Sequence, residues 1–270
     1  MRKDLNKHLK KVVAHHDWWA ETYDSNYFEH FALYHKVTLA NIKKFLPEEK
    51  GATVLDAGGG TGIWSIELAK MGYNVVLTDI SKGMLDKAKN KVTQLGLADR
   101  IKMMISDIRD MPEFPDDHFA MVICEGDPLS YCGDHKRALS ECVHVLKPSG
   151  ALIASVDSRS SALNWLKDTE DPEAIKRLLD TGEVEMPTGK EEFTYTIHAF
   201  TPEELGDLFE SNGLQVERII GKLVIAPRLS FYKSEDPEIQ EWLYNLELKY
   251  NDDPAFLSRA GHLEIVGRKK

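Results

Sequence analysis

Residues 53 to 62 read Thr-Val-Leu-Asp-Ala-Gly-Gly-Gly-Thr-Gly, a β-branched and apolar run that ends in Asp56 and meets four glycines in the next six positions. Such a run sends a buried strand into a turn without side chains, where a ligand can lie against bare backbone. The feature implies a nucleotide-like cofactor. A dinucleotide G-x-G-x-x-G pattern fails at this turn. Starting at Gly58 it needs a third glycine where Ile63 stands, and starting at Gly60 it needs one where Ser65 stands. What remains is D-x-G-x-G-x-G from Asp56 to Gly62, followed by a helical pattern of Trp64, Ile66, Leu68 and Ala69 that stops at Gly72.

This segment resembles motif I of the class I S-adenosylmethionine-dependent methyltransferases, which implies that Asp56, Ala57, Gly58, Gly60 and Gly62 form the cofactor loop. Val75 to Asp79 reads as a second buried strand, and its terminal carboxylate is placed to accept both ribose hydroxyls. Ser81 is a candidate N-cap for the helix that follows, with Ile80 and Met84 flanking an adenine. A third strand, Ile101 to Ser106, ends at Asp107-Ile108, which resembles the family's adenine-edge segment. Any one of these pieces is more often a turn or a helix cap. Three at successive strand ends imply a nucleoside across the carboxyl edge of one sheet.

The net charge is −10 and the basic residues are dispersed along the chain. Phosphate-backbone binding depends on clustered Lys and Arg, so a nucleic-acid substrate is disfavoured and a small-molecule methyl acceptor is expected. No apolar stretch approaches the ~20 residues of a membrane span and no secretory signal opens the chain, so no membrane association and a cytoplasmic location are expected. Cys124, Cys132 and Cys142 fit neither a disulfide framework nor a zinc knuckle, and they read as small buried hydrophobes. Thiol-assisted methylation of a metalloid is a minor alternative. Asp116-Asp117-His118 reads as an acidic turn, and no metal site is assigned.

The fourth strand, Phe119 to Cys124, leads into Glu125-Gly126-Asp127-Pro128-Leu129. This loop lacks the N-P-P-Y or D-P-P-Y tetrad of base and glutamine-amide methyltransferases. It looks like that of small-molecule and quinone-pathway members of the family, which implies cofactor contacts at Glu125 and Leu129. Lys147-Pro148-Ser149-Gly150 resembles the family's helix end before a fifth strand, Ala151 to Val156. Trp18 to Asp24 is similar to a "W-A-x-x-Y-D" segment of the same subgroup, and on that likeness Tyr23 approaches the methionine end of the cofactor.

The resemblance implies an α/β fold: a seven-stranded Rossmann-like sheet of order 3-2-1-4-5-7-6 with the last strand antiparallel, helices on both faces and inserted cap segments. Residues 1–50 read as an N-terminal helical lid, and residues 51–270 as the methyltransferase domain. Insertions near 158–200 and 222–260 would build the acceptor pocket. Phe193 to His198 alternates as a strand does. The helix from Glu235 through Trp242 and Leu248 is amphipathic enough to cover a pocket or to form a homodimer interface.

The predicted reaction is methyl transfer from S-adenosylmethionine, leaving S-adenosylhomocysteine. Alternatives are another transferase on the same sheet, such as an aminopropyltransferase, and a non-catalytic nucleoside-binding module. A sulfonium methyl is already electrophilic, so the protein supplies alignment, water exclusion and, for some acceptors, a base. His198 and His35 are the candidate bases and Tyr131 a candidate polar orienter.

Overall fold

The computed structural model describes residues 2–270, with every side chain among them except those of residues 2–6, 26 and 28–30. Seven strands form the central sheet: β1 (Thr53–Ala57), β2 (Asn74–Asp79), β3 (Ile101–Ile105), β4 (Phe119–Cys124), β5 (Leu146–Asp157), β6 (Leu214–Lys222) and β7 (His262–Lys269). Their order is β3-β2-β1-β4-β5-β7-β6, as expected. The pairs β3–β2, β2–β1, β1–β4 and β4–β5 are parallel, whereas β7 runs antiparallel to both β5 and β6.

Helices of eight or more residues are α1 (Arg2–Trp19), α2 (Tyr23–Ile42), α3 (Ile63–Lys70), α4 (Lys82–Gln94), α5 (His135–Val145), α6 (Pro172–Thr181), α7 (Pro202–Ser211) and α8 (Pro237–Tyr250). Side chains of a strand alternate between faces, so a strand buried on both faces reads as continuous apolar sequence. Leu55 and Val122 belong to the core shared with α5 and α7, while Val54 and Met121 belong to the core shared with α3 and α4.

The local signals for helix starts hold. The Ser81 hydroxyl accepts from the Met84 N–H at 3.1 Å, and the Thr201 hydroxyl from the Glu204 N–H at 3.2 Å. Two expectations change. The fifth strand starts at Leu146, ahead of Ala151, because Phe119 pairs with Leu146 before the register shifts. Within that strand Ser149 takes a left-handed φ of 61°. The strand expected over Phe193–His198 shrinks to Thr196–His198, paired with Glu183–Glu185, since Glu191–Phe193 coil into a 3₁₀ turn.

Candidate active site

The strand order fixes which residues meet. Along the carboxyl edge of the parallel strands come the ends of β3, β2, β1, β4 and β5, and β7 begins beside the end of β5 because it runs the other way. A cavity enclosing about 1330 Å³ of empty space, its mouth included, lies over this edge and is roofed by side chains of α1 and α2. Ser106, Asp107 and Ile108 line it from β3, Asp79, Ile80 and Met84 from β2 and α4, Gly58 to Thr61 from β1, Glu125 to Pro128 from β4, and His262 from β7.

At the β1 end the glycines carry the conformation the turn needs, with Gly58 at φ 74° and Gly60 at φ 56°. A Cβ on Gly58 would stand 2.7 Å from Pro128 Cγ, and one on Gly60 would face Asp79 Oδ2 at 4.0 Å. The backbone is therefore bare where the turn after β1 approaches Pro128 and Asp79. The Asp79 carboxylate is held by the Gly60 N–H at 2.9 Å and the Ser81 N–H at 2.7 Å. Burial raises its pKa above the carboxylate norm against these two bonds.

Asp56, Ala57, Gly62 and Leu129 lie behind the lining rather than in it. Asp56 is fully buried and accepts from the Ser65 hydroxyl at 2.6 Å, and burial pushes its pKa up to about 7. Its carboxylate packs against the loop at Gly59, where a Cβ would stand 2.4 Å from Asp56 Cγ. Leu129 is buried in the core shared with α5. At the β3 end, both Asp107 oxygens accept from Arg109, at 2.9 and 2.7 Å for the closest pairs. Those bonds outweigh burial and hold Asp107 below the ordinary range.

Of the residues expected to act on the acceptor, the cavity gathers only Tyr131. His198 is outside it: Nε2 meets Glu204 Oε1 at 2.8 Å and the ring packs on His135 at 4.3 Å. The strand that carries His198 pairs with the 183–185 strand, away from the sheet edge. His35 also falls outside the lining, because its ring stacks on Trp64 at 4.7 Å, and burial lowers its pKa. Tyr23 does line the cavity, in edge contact with Trp19 at 4.8 Å.

Instead, the β4–β7 end carries a buried polar group that the sequence reading passed over. His262 Nδ1 stands 2.8 Å from Asp127 Oδ2 and 3.8 Å from Asp157 Oδ1. One oxygen or nitrogen from each of the three lies within 4.8 Å of the others, close enough to share a cation. Burial would raise the Asp127 pKa, but His262 beside it holds it below the usual range. Burial likewise opposes the charged imidazole, and Asp127 overrides it to raise the His262 pKa. Asp157, farther from His262 than Asp127 is, is pushed up to about 7 by burial and by Asp127.

Next to them Lys222 Nζ bonds Glu125, Glu264 at 2.7 Å and the Tyr34 hydroxyl at 3.1 Å, all fully buried or nearly so. The signals were present in the sequence: a lysine ending β6 just after Ile219-Ile220-Gly221, and a histidine opening β7 directly after Gly261. Neither belongs to a spacing motif.

All three cysteines are free and buried. Cys124 and Cys142 sit in the α5 core, while Cys132 touches the cavity with its thiol pushed up to about 12 by burial. A protonated thiol is a poor nucleophile, which weighs against thiol chemistry at this site.

A methyltransferase-domain family profile matches residues 54–150. The chain is 31% identical over 172 residues to a ubiquinone biosynthesis O-methyltransferase of Coxiella burnetii, covering 64% of this chain and 67% of that one. It is 23% identical over 216 residues to a tRNA 5-carboxymethoxyuridine methyltransferase of Escherichia coli, covering 80% and 79%. Among such curated relatives the aligned part spans from 46% to 79% of their length. In fold the chain is similar to an S-adenosylmethionine-dependent methyltransferase from Mesorhizobium loti, with a TM-score of 0.60, 18% identity, and coverage of 86% and 98%. With a seven-stranded sheet of this order and a nucleoside-sized cavity over its carboxyl edge, the molecule is a transferase of the Rossmann-like class. The chain belongs to the class I S-adenosylmethionine-dependent methyltransferases, and S-adenosylmethionine is its cofactor. No helix among the described residues is long and apolar enough to cross a membrane.

Proposed function

We propose that the protein methylates a small organic molecule held at the β4–β7 end of the cavity, with the cofactor lying over β1, β2 and β3. The observation that carries this reading is the composition of the lining. It is walled by aromatic rings and roofed by helices, and among the described residues it holds no lysine and no arginine. A polyanionic strand has nothing there to neutralise its phosphates, while an enclosed apolar cavity with a few convergent polar groups suits a small molecule.

On this reading Asp79 takes the ribose hydroxyls, Ile80 and Met84 flank the adenine, and Asp107 and Ile108 meet its edge. Gly58 and Gly60 let the backbone approach the ligand, and Asp56 with Ala57 and Gly62 shapes that loop from behind. Glu125 and Tyr23 face the methionine end. The bare backbone at Gly58 to Gly60 and the preset Asp79 carboxylate fit a nucleoside with no phosphate. The bound cofactor supplies an electrophilic methyl group on a sulfonium. The chain's own part is to align the acceptor and keep water out.

Helices α1 and α2 act as the lid. Asp17 at the end of α1 accepts from the Ser81 hydroxyl at 2.6 Å and the Gly83 N–H at 2.8 Å, and Asp24 in α2 from the Thr61 hydroxyl at 2.5 Å. These bonds fasten the lid to the two segments that line the cofactor side.

Titration calorimetry tests the reading with S-adenosylmethionine and S-adenosylhomocysteine. Binding of both, together with transfer of labelled methyl to a pool of small metabolites and not to transfer RNA, is expected. Binding of neither, or transfer to RNA alone, overturns it.

A further inference from the structure

Carboxylates outnumber cations at the acceptor end, where Glu125, Glu264, Asp127 and Asp157 stand against Lys222 and His262. Among the described residues, four carboxylates line the cavity, from Asp79, Asp107, Glu125 and Asp127, against two imidazoles and no lysine or arginine. Asp79 and Asp107 are spoken for by backbone N–H groups and by Arg109. Glu125 and Asp127 are not fully satisfied. Glu125 Oε1 and Asp127 Oδ1 are buried without a hydrogen-bond partner, on side chains whose residues are 3% and 4% exposed. Asp157 Oδ2, directly behind, is in the same condition. Buried carboxylate oxygens without partners are costly unless a cation or a donor completes them.

The roof beside these carboxylates is aromatic. Tyr27, Phe31 and Tyr34 stand in a chain, Tyr27 to Phe31 at 5.9 Å and Phe31 to Tyr34 at 5.8 Å between ring centres, and all three line the cavity. Ring faces attract cations, and burial strengthens the attraction. The Tyr34 ring already takes one, with Lys222 Nζ 4.6 Å from its centre.

Resting on the methyl-transfer reading, we infer that the acceptor is an amine, bound as its ammonium form between Glu125, Asp127 and the rings of Tyr27, Phe31 and Tyr34. An acceptor that carries a carboxylate or phosphate at this end would meet four carboxylates whose two cations, Lys222 and His262, are already paired. A neutral phenol would leave the free oxygens of Glu125 and Asp127 with at most one donor to share.

Chemistry requires the nitrogen to lose a proton before it can act, and His262 is the side chain in place to take it. Its Nδ1 is turned to Asp127, which leaves Nε2 as the nitrogen for the acceptor. The freed lone pair forms the new N–C bond while the methyl carbon's bond to sulfur breaks, and that electron pair stays on sulfur as the neutral thioether. Charge is conserved: the sulfonium's positive charge passes to the methylated ammonium, and the first proton leaves through His262 to solvent.

The test uses calorimetry on the full chain saturated with S-adenosylhomocysteine, titrated with 2-phenylethylamine, 2-phenylethanol and phenylacetate. The amine is expected to bind at least tenfold more tightly than either analogue, and Asp127→Asn is expected to remove that preference while S-adenosylhomocysteine still binds. Equal or tighter binding of the alcohol or the acid overturns the inference, and so does failure of all three to bind the loaded protein. Should Asp127→Asn not fold, Tyr27→Leu serves in its place and is expected to cut amine affinity by about fivefold without changing the alcohol. Loss of S-adenosylhomocysteine binding by the unaltered chain would instead sink the methyl-transfer reading itself, so the two failures are told apart.

Discussion

Lys222 sits directly between Glu125 and Glu264, one lysine ending β6 that bonds a carboxylate at the end of β4 and another inside β7. All three side chains are fully buried. Burial would strip the lysine of its proton, but Glu125 and Glu264 reverse that and hold its pKa above the ordinary value. The strand order puts β5 and β7 between β4 and β6, so this one cation ties together strands that never pair.

Removing that cation leaves two carboxylates buried and uncompensated, a loss of about 3–5 kcal/mol in comparable buried pairs. Lys222→Met is expected to lower the urea midpoint sharply. Adding Glu125→Gln and Glu264→Gln to it is expected to recover a large part of the loss. Equilibrium denaturation of the single and triple variants checks both.

Asp79 offers a charged acceptor at the cofactor end and is itself fixed by two backbone N–H groups. Hydrogen bonds to charged groups are worth about 1.5–3 kcal/mol, so Asp79→Ala is expected to weaken S-adenosylhomocysteine by ten- to a hundredfold. Calorimetry reads this directly. A thermal melt of the variant shows how far the loss of the Gly60 and Ser81 bonds lowers stability as well.

Gly58 combines φ 74° with a Cβ position 2.7 Å from Pro128. An alanine there meets both the left-handed penalty, roughly 1 kcal/mol, and a ring that cannot yield without moving the 125–128 loop. Gly58→Ala is expected to lower the melting temperature and cofactor affinity together. Gly96→Ala is its control: Gly96 has φ 66° and nothing within 4 Å of the added atom, so only stability should fall.

Asp56 is fully buried with its pKa raised to about 7, so the folded chain holds a proton that the unfolded chain, titrating near the ordinary carboxylate value, has released. Stability therefore falls as pH rises from about 4 to about 7. Asp157, also at about 7, contributes in the same sense. Melting curves over that range are expected to slope downward, and Asp56→Asn to flatten the slope in part.

The histidine comparison is sharp because both residues contact a carboxylate. His198→Gln removes a partner of Glu204 at 2.8 Å outside the cavity and is expected to change turnover less than threefold. His262→Gln is expected to lower kcat by at least a hundredfold, in the range that loss of a general base brings. Single-turnover kinetics with a labelled methyl donor separate the two.

The parallel half of the sheet was legible because its strands carry apolar runs, such as Val54-Leu55, Val75 to Leu77 and Met121 to Cys124, that lead to a residue type the edge requires. Asp56, Asp79 and Asp107 announce themselves through position alone. The acceptor half was not. His262, Asp127, Asp157 and Lys222 come from β7, the loop after β4, the end of β5 and the end of β6, and only the antiparallel reversal of β7 brings them together. No spacing rule links positions 127 and 262, so the sequence reading turned to His198 and His35, which stood near recognisable segments. The rings of α2 were equally silent, since Tyr27, Phe31 and Tyr34 follow helical spacing and read as ordinary packing.

The fastening of the two N-terminal helices has a kinetic meaning. Besides the Asp17 and Asp24 bonds, it is made of surface pairs, Glu21 with Lys87 at 2.7 Å and Asp24 with Lys91 at 2.5 Å. Ions in solution screen such contacts over about 10 Å at 0.1 M salt, whereas the buried Lys222 cluster is shielded from them. On the proposed lid role, rising salt is expected to loosen the cover and speed release of spent cofactor while leaving the floor of the cavity unchanged, which stopped-flow release of S-adenosylhomocysteine at several salt concentrations checks. If release limits turnover, the protein will work faster in moderate salt than in dilute buffer.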